Sequence, residues 1–206
     1  MALRSLFVTR VYEAELADEK GGSGLIAELE ADCRMLAQED GAGRAWSRAN
    51  AYPGYTSYAS LDDLPQRATA FGQLKSRLDR HARAYAEALH LDLGAGRLRL
   101  DSLWVNVLKP GGAHSGHVHP HSVLSGTVYV AVPPGAGALK LEDPRLPLMM
   151  AAPPRRADAG EDVKSFVYLA PRPGTLLMWE SWLRHEVVPS RAKSDRVSIS
   201  FNYAWR

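Results

Sequence analysis

The chain has 206 residues, of which 46% are hydrophobic and 23% charged, and carries a formal net charge of +2. These values are ordinary for a soluble globular protein; they argue against a disordered or membrane class and give no electrostatic case for a nucleic-acid partner. The single cysteine, Cys33, excludes an intrachain disulfide framework and any multi-cysteine zinc module, which fits a reducing, cytoplasmic compartment.

The chain begins with LRSLFVTRVYEAEL, which alternates enough to be a strand and lacks the apolar run of a signal peptide. GGSG then has neither the lysine nor the spacing of a phosphate loop and reads as a turn before a helix. In LIAELEADCRMLAQED, Leu25, Leu29, Ala31, Met35 and Leu36 fall near helical spacing, and Gly41 and Gly43 are expected to end the helix. The stretch AYPGYTSYAS is aromatic and turn-rich, more like a structured loop than a linker. A second helix is expected from about Pro65 to His90, with Ala68, Phe71, Leu74, Leu78, Tyr85 and Leu89 as its apolar stripe and His81 and His90 in surface or cap positions.

From Arg97 the texture changes to short β-branched and aromatic runs separated by Gly and Pro, as in LRLDSLWVNVL, SVLSGTVYVAV, GTLLMWE and RVSISFNYAW. Helices first and strands after give an α+β, mainly β class, with the helices packed outside a sandwich or barrel. The expectation is one domain over residues 1–206, a strand and helices in 1–96 and an all-β core in 97–206. No window reaches the roughly 18 apolar residues of a membrane span. Residues 143–162 form a proline-rich connection too long for a hairpin, a candidate lid over a site. Trp104, Trp179, Trp182 and Trp205 are read as core or barrel-rim aromatics.

Four of the seven histidines lie within HSGHVHPH, residues 114–121. His117, His119 and His121 recur at every second position, and on a strand such residues share one face. Histidine is the commonest side-chain metal ligand, so a metal site is the first hypothesis. His117 and His119 need a third ligand from another strand, and the remaining histidine of the β half is His185, in WESWLRHEVVP. His114 lies off the alternation and Pro120 bends the chain before His121, so both stay outside the ligand set. In RVSISFNY, Arg196, Ser198 and Ser200 share a face. If Arg196 points inward it needs an anionic partner, because an unpaired buried guanidinium is costly. A small dicarboxylate would supply one, with Ser198 as a further donor.

His-x-His, then Gly126 and Tyr129 in SGTVYV, Gly-x-Leu, Pro-Gly before a hydrophobic strand, a distal His and Arg-x-Ser together resemble the iron(II)- and 2-oxoglutarate-dependent oxygenase superfamily. The resemblance is greatest to its branch of small, uncharacterised prolyl-hydroxylase-like bacterial proteins, strongly over residues 104–203 and more loosely toward the start. It implies a double-stranded β-helix, also called a jelly roll or cupin-like barrel, with N-terminal helices outside. It further implies that His117 and His185 hold Fe(II), that Arg196 and Ser198 bind the distal carboxylate of the co-substrate 2-oxoglutarate, and that Tyr129 is a further contact. Asn106, on the strand before the first ligand, faces the same cavity in this reading. The implied activity is hydroxylation of a small-molecule or peptide substrate.

The chain departs from the family at His119, where an Asp or Glu usually completes the ligand face. Three imidazoles satisfy the same ligand count but raise the formal charge of the site by one and make zinc or nickel more competitive with iron. Glu142 or Asp143 could restore a carboxylate from a neighbouring strand. Two rivals follow: a three-histidine cupin-type dioxygenase that needs no 2-oxo acid, with Arg196 facing water, and a non-catalytic metal or small-acid binding protein. A homodimer through an exposed strand or helix is open.

Overall fold

The computed structural model describes residues 2–170 and 172–206. Among these residues ten strands form two antiparallel sheets. The larger sheet holds β1 (Tyr12–Glu15), β2 (Gly54–Thr56), β3 (Leu98–Leu108), β5 (Leu124–Ala131), β8 (Thr175–Glu180) and β10 (Arg196–Trp205), in the order β1-β8-β5-β10-β3-β2. The smaller holds β4 (His114–His117), β6 (Leu139–Glu142), β7 (Phe166–Leu169) and β9 (His185–Val187), in the order β4-β9-β6-β7. Tyr129, Leu177 and Trp179 of the larger sheet pack with Leu139 and Leu141 of the smaller, so the two lie face to face as a jelly roll.

The other face of the larger sheet carries the helices. Val197, Ile199 and Phe201 of β10 join Val128 and Val130 of β5 and Leu176 and Met178 of β8 in a core with Leu25 and Leu29 of α1 (Gly22–Glu39) and Leu74 and Leu78 of α4 (Thr69–Ala88). Period-two alternation thus gives each central strand an apolar face for the helices and a second face for the space between the sheets. Gly126 of β5 lies under the Phe201 ring, where an added Cβ would stand 2.4 Å from Cζ of that ring. Tyr203 closes the arrangement by donating a hydrogen bond to Asp79 of α4 at 2.8 Å.

The N-terminal half differs from expectation in five places. Gly41 and Gly43 do not stop the chain; Asp40 ends α1 and caps a further helix, α2 (Gly41–Ala49), accepting from the Gly43 amide at 2.9 Å. Gly43 is needed there because a Cβ would sit 2.2 Å from the Asp40 carboxylate. The expected helix from Pro65 to His90 is divided into α3 (Leu64–Arg67) and α4 by Ala68, whose backbone is extended (φ −142°, ψ 143°). The buried stripe of α1 runs through Ile26 and Cys33, and Met35 is exposed. The initial strand covers only Tyr12–Glu15.

His81 is the fifth. It is buried, its Nδ1 meeting the Tyr12 hydroxyl at 2.8 Å and its Nε2 the Glu19 carboxylate at 2.8 Å. Glu19 also accepts from Arg77 at 2.7 Å and from Arg80 at 2.5 Å, which ties the turn after β1 to α4. Burial would raise the Glu19 carboxyl, but the hydrogen bonds from Arg80 and His81 outweigh it and hold the group below its ordinary 4.5. The unfolded chain therefore takes up the proton first on acidification. The stabilisation is fully present above the unfolded value and is lost as pH falls through the lower folded one. Replacing Glu19 by Gln should cost about 1–2 kcal/mol in urea unfolding at pH 7, and the variant should lose less stability than the parent between pH 5 and 3.

Candidate metal centre

β4 and β9 pair antiparallel in a register that sets His117 directly opposite His185. His119 lies two residues beyond the end of β4, where its amide donates to the Ser181 carbonyl at 3.0 Å and so holds the chain against the end of β8. The three rings converge. Their centroids are 4.4 Å (His117 to His185) and 5.1 Å (His119 to each of the others) apart, and one nitrogen from each ring falls within 4.8 Å of the other two.

The ring protons can be assigned from the neighbours. His117 Nδ1 is 2.7 Å from the Ser115 carbonyl, His185 Nδ1 is 2.9 Å from the Leu183 carbonyl, and His119 Nδ1 is 2.7 Å from Asn202 Oδ1. Each oxygen can only accept, so each Nδ1 carries the proton, and a neutral ring then presents the Nε2 lone pair. Asn202 is itself held: Ser125 donates to its Oδ1 at 2.8 Å, and its Nδ2 donates to Ser102 at 3.0 Å. His119 Nε2 is buried without a partner in the protein. A cation accepting three such lone pairs fits this donor set.

Burial pushes the His185 ring down to about 3, and it lowers His119 as well, partly offset there by the Asn202 hydrogen bond. His121 does not join the cluster: it is exposed, at φ 70°, beyond Pro120. Neither candidate carboxylate joins it. Glu142 faces Arg184 at 3.3 Å, and Asp143 is gripped at both oxygens by Arg145. Alternation explains Glu142, since Leu139 and Leu141 are the β6 residues that turn inward.

The histidines border a cavity of about 500 Å³ between the sheets. Arg196 lies in its wall, 3% exposed, so it does not face water. Its Nη1 donates to the Gly137 carbonyl at 3.1 Å, its Nη2 reaches Ser198 Oγ at 3.4 Å, and its guanidinium lies 5.1 Å from the centre of the Tyr129 ring. Arg196 Nε, the Tyr129 hydroxyl, the Thr127 hydroxyl and Trp179 Nε1 are buried with no partner in the protein. Among the described residues no carboxylate pairs with Arg196. Ser198 is buried beside it but does not line the cavity.

Asn106 does line the cavity, accepting at Oδ1 from Tyr52 at 2.9 Å and Thr56 at 3.0 Å and donating to Ser200 at 3.0 Å. The Tyr52 hydroxyl also meets His114 Nε2 at 2.7 Å. His114, set aside in the sequence, is therefore a cavity residue, and burial pushes its ring down to about 4. Tyr52, Thr56 and Asn202 were not singled out. Asn202 had a signal, because it continues the alternation of Arg196, Ser198 and Ser200. Trp104 and Trp179 line the cavity, whereas Trp182 and Trp205 are exposed. No residue of 143–162 lines it; that connection joins β6 to β7, at the edge of the smaller sheet opposite β4.

A family model described as "Putative 2OG-Fe(II) oxygenase" matches residues 102–202, from β3 through β10. This span, the β half of the chain, belongs to the iron(II)- and 2-oxoglutarate-dependent oxygenase superfamily. In fold this oxygenase is similar to a prolyl-4-hydroxylase of Pseudomonas putida, with TM-score 0.65 and 19% identity over 95% of this chain and 93% of that one. It is also similar to HygX of Streptomyces hygroscopicus, solved with nickel and 2-oxoglutarate bound (TM-score 0.61, 15% identity, 96% and 82% covered). A third is the α-ketoglutarate-dependent epimerase SnoN of nogalamycin biosynthesis (TM-score 0.61, 17% identity, 95% and 78% covered). No curated protein matches the oxygenase in sequence. No helix among the described residues is long and apolar enough to cross a membrane.

The lowered histidines have a consequence for the metal-free protein. Below pH 6.5 the unfolded chain protonates rings that His114 and His185 keep neutral in the fold, so stability falls as pH drops from 6.5 toward 4. Ring-proton NMR should find both still neutral at pH 5, with the urea midpoint lower there than at pH 7.

Proposed function

We propose that the oxygenase uses Fe(II) and 2-oxoglutarate to hydroxylate a C–H bond of a small-molecule or peptide substrate, with His117, His119 and His185 as the metal ligands through Nε2. The observation that carries this reading is Arg196, a buried guanidinium with no carboxylate partner, in the wall of the cavity that the three histidines border. Leaving a charge so placed is expensive unless a ligand anion completes it. The Nε donor of Arg196 and the Tyr129 and Thr127 hydroxyls lack partners, and they would receive the distal carboxylate of a dicarboxylic acid. Ser198 positions the guanidinium through Nη2, and the Gly137 carbonyl holds Nη1.

Iron held by these three rings would supply dioxygen activation coupled to decarboxylation of the 2-oxo acid to succinate. The protein's own residues hold and tune. Ser115, Leu183 and Asn202 fix each ring with Nε2 free, and the Trp179 ring, 4.6 Å from that of His185, excludes water beside it. With three neutral rings, zinc or nickel could stand in the iron's place. A three-histidine dioxygenase without a 2-oxo acid predicts Arg196 in water, and its burial argues against that reading.

Anaerobic addition of Fe(II) and 2-oxoglutarate to the metal-free protein should give the visible charge-transfer band of a chelated 2-oxo acid. Arg196→Ala should raise the 2-oxoglutarate concentration needed for the band by tenfold or more, roughly the loss of one charge-assisted bidentate contact. Iron bound with no band would overturn the reading. Asn202→Leu, which removes the acceptor for His119 Nδ1, should weaken metal binding by about 10- to 100-fold in a chelator competition.

A further inference from the structure

Beyond the histidines the cavity has an aromatic wall. Trp46 of α2, Tyr58 beyond β2 and Trp104 of β3 line it. The Tyr58 and Trp104 rings meet edge to face at 5.3 Å between centroids, and Trp104 stacks on His119 at 6.0 Å, so the wall runs continuously to the histidine cluster. Trp46 and Tyr58 keep 36% and 61% of their surface exposed. Aromatic surface left open at a cavity is surface on which a ligand gains by burial and stacking.

The polar groups beside this wall are uncharged. The Tyr52 hydroxyl has one proton and gives it to Asn106 Oδ1, an amide oxygen that can only accept. His114 Nε2 then donates to the Tyr52 oxygen, and the ring stays neutral because of its burial. Among the described lining residues Arg196 is the only side chain with a formal charge, and there is no Asp, Glu or Lys. An ammonium entering here would lose its water and find no carboxylate, and a second carboxylate would find the one cationic side chain, Arg196, already engaged by 2-oxoglutarate.

We infer that the substrate presents an uncharged, ring-bearing group to this cavity, seated on Trp46, Tyr58 and Trp104, and that free amino acids, charged at both ends, are rejected. This rests on the proposed function in one respect: 2-oxoglutarate takes up the charge of Arg196.

The test uses three probes of nearly one shape, benzamide (neutral), benzoate (anionic) and benzamidinium (cationic), added anaerobically to full-length protein holding Fe(II) and 2-oxoglutarate. Binding is read by tryptophan fluorescence and by saturation-transfer NMR. Benzamide should bind at least tenfold more tightly than either ion. Tyr58→Ala should weaken benzamide by about tenfold, the scale of one lost aromatic contact. Equal or tighter binding of an ion, or unchanged benzamide binding in Tyr58→Ala, would overturn the inference. The charge-transfer band of the same sample separates the two readings. A band without a preference for benzamide removes this inference and leaves the oxygenase reading. A preference for benzamide without the band removes the 2-oxoglutarate reading and supports a neutral subsite.

Discussion

A strand has two faces, and β10 spends them on opposite environments. Val197, Ile199 and Phe201 point to the helices and are fully buried in apolar surroundings. Arg196, Ser200 and Asn202 point between the sheets and line the cavity. The first face supplies the burial that fixes β10 against β3 and β5, and the second then has no freedom to choose its neighbours. Slippage by one residue would put Arg196 into the helix-packed core, so the register that builds the core also places the guanidinium. The opposition of His117 and His185 across β4 and β9 repeats this economy in the smaller sheet.

Charge is the second constraint. A metal held by two imidazoles and a carboxylate receives one negative charge from the protein, whereas three neutral imidazoles give none. Arg196 adds another cation to the same cavity, and Glu142 and Asp143 are engaged by arginines outside it. The balancing charge then has to arrive with the ligand, and a dicarboxylic acid brings two. Metal and acid consequently reinforce each other: each is held more tightly when the other is present, by the same factor in both directions. The neutral acceptors behind the rings fit this arrangement. Carbonyl groups and an asparagine fix the tautomer without adding charge, so they orient the ligands and leave compensation to the co-substrate.

Much of this was legible in the sequence because alternation is a local property. The run RVSISFNY displayed the two faces of β10, and the His-x-His spacing with a distal histidine marked the three rings that converge. What was missed depends on partners far along the chain. Gly41 and Gly43 looked like a helix stop, but Asp40, hydrogen-bonded to Tyr55 and Ser60 as well as to the Gly43 amide, starts another helix there. His81 looked like a surface residue until Glu19 and Tyr12, more than sixty positions away, were brought to it. His114 breaks the alternation of its own segment and acquires a role only through Tyr52. His119 had the right spacing for an incomplete reason: β4 has ended by then, and the hydrogen bond to Ser181 keeps it on the cluster's side.

The division of the chain between chemistry and selection follows from the same geometry. The three histidines, Arg196, Tyr129 and Asn202 all fall within residues 102–202, the span that the family model matches. Trp46, Tyr52, Thr56 and Tyr58 precede it. They reach the cavity because β2 pairs with β3 at the edge of the larger sheet and carries the end of α2 and the following loop with it. The family match therefore speaks to a metal and a 2-oxo acid, whose proposed ligands all lie in that span. It is silent about the substrate, whose surroundings include side chains the match does not cover. The charge and shape of that wall, taken residue by residue, are where the identity of the substrate is written.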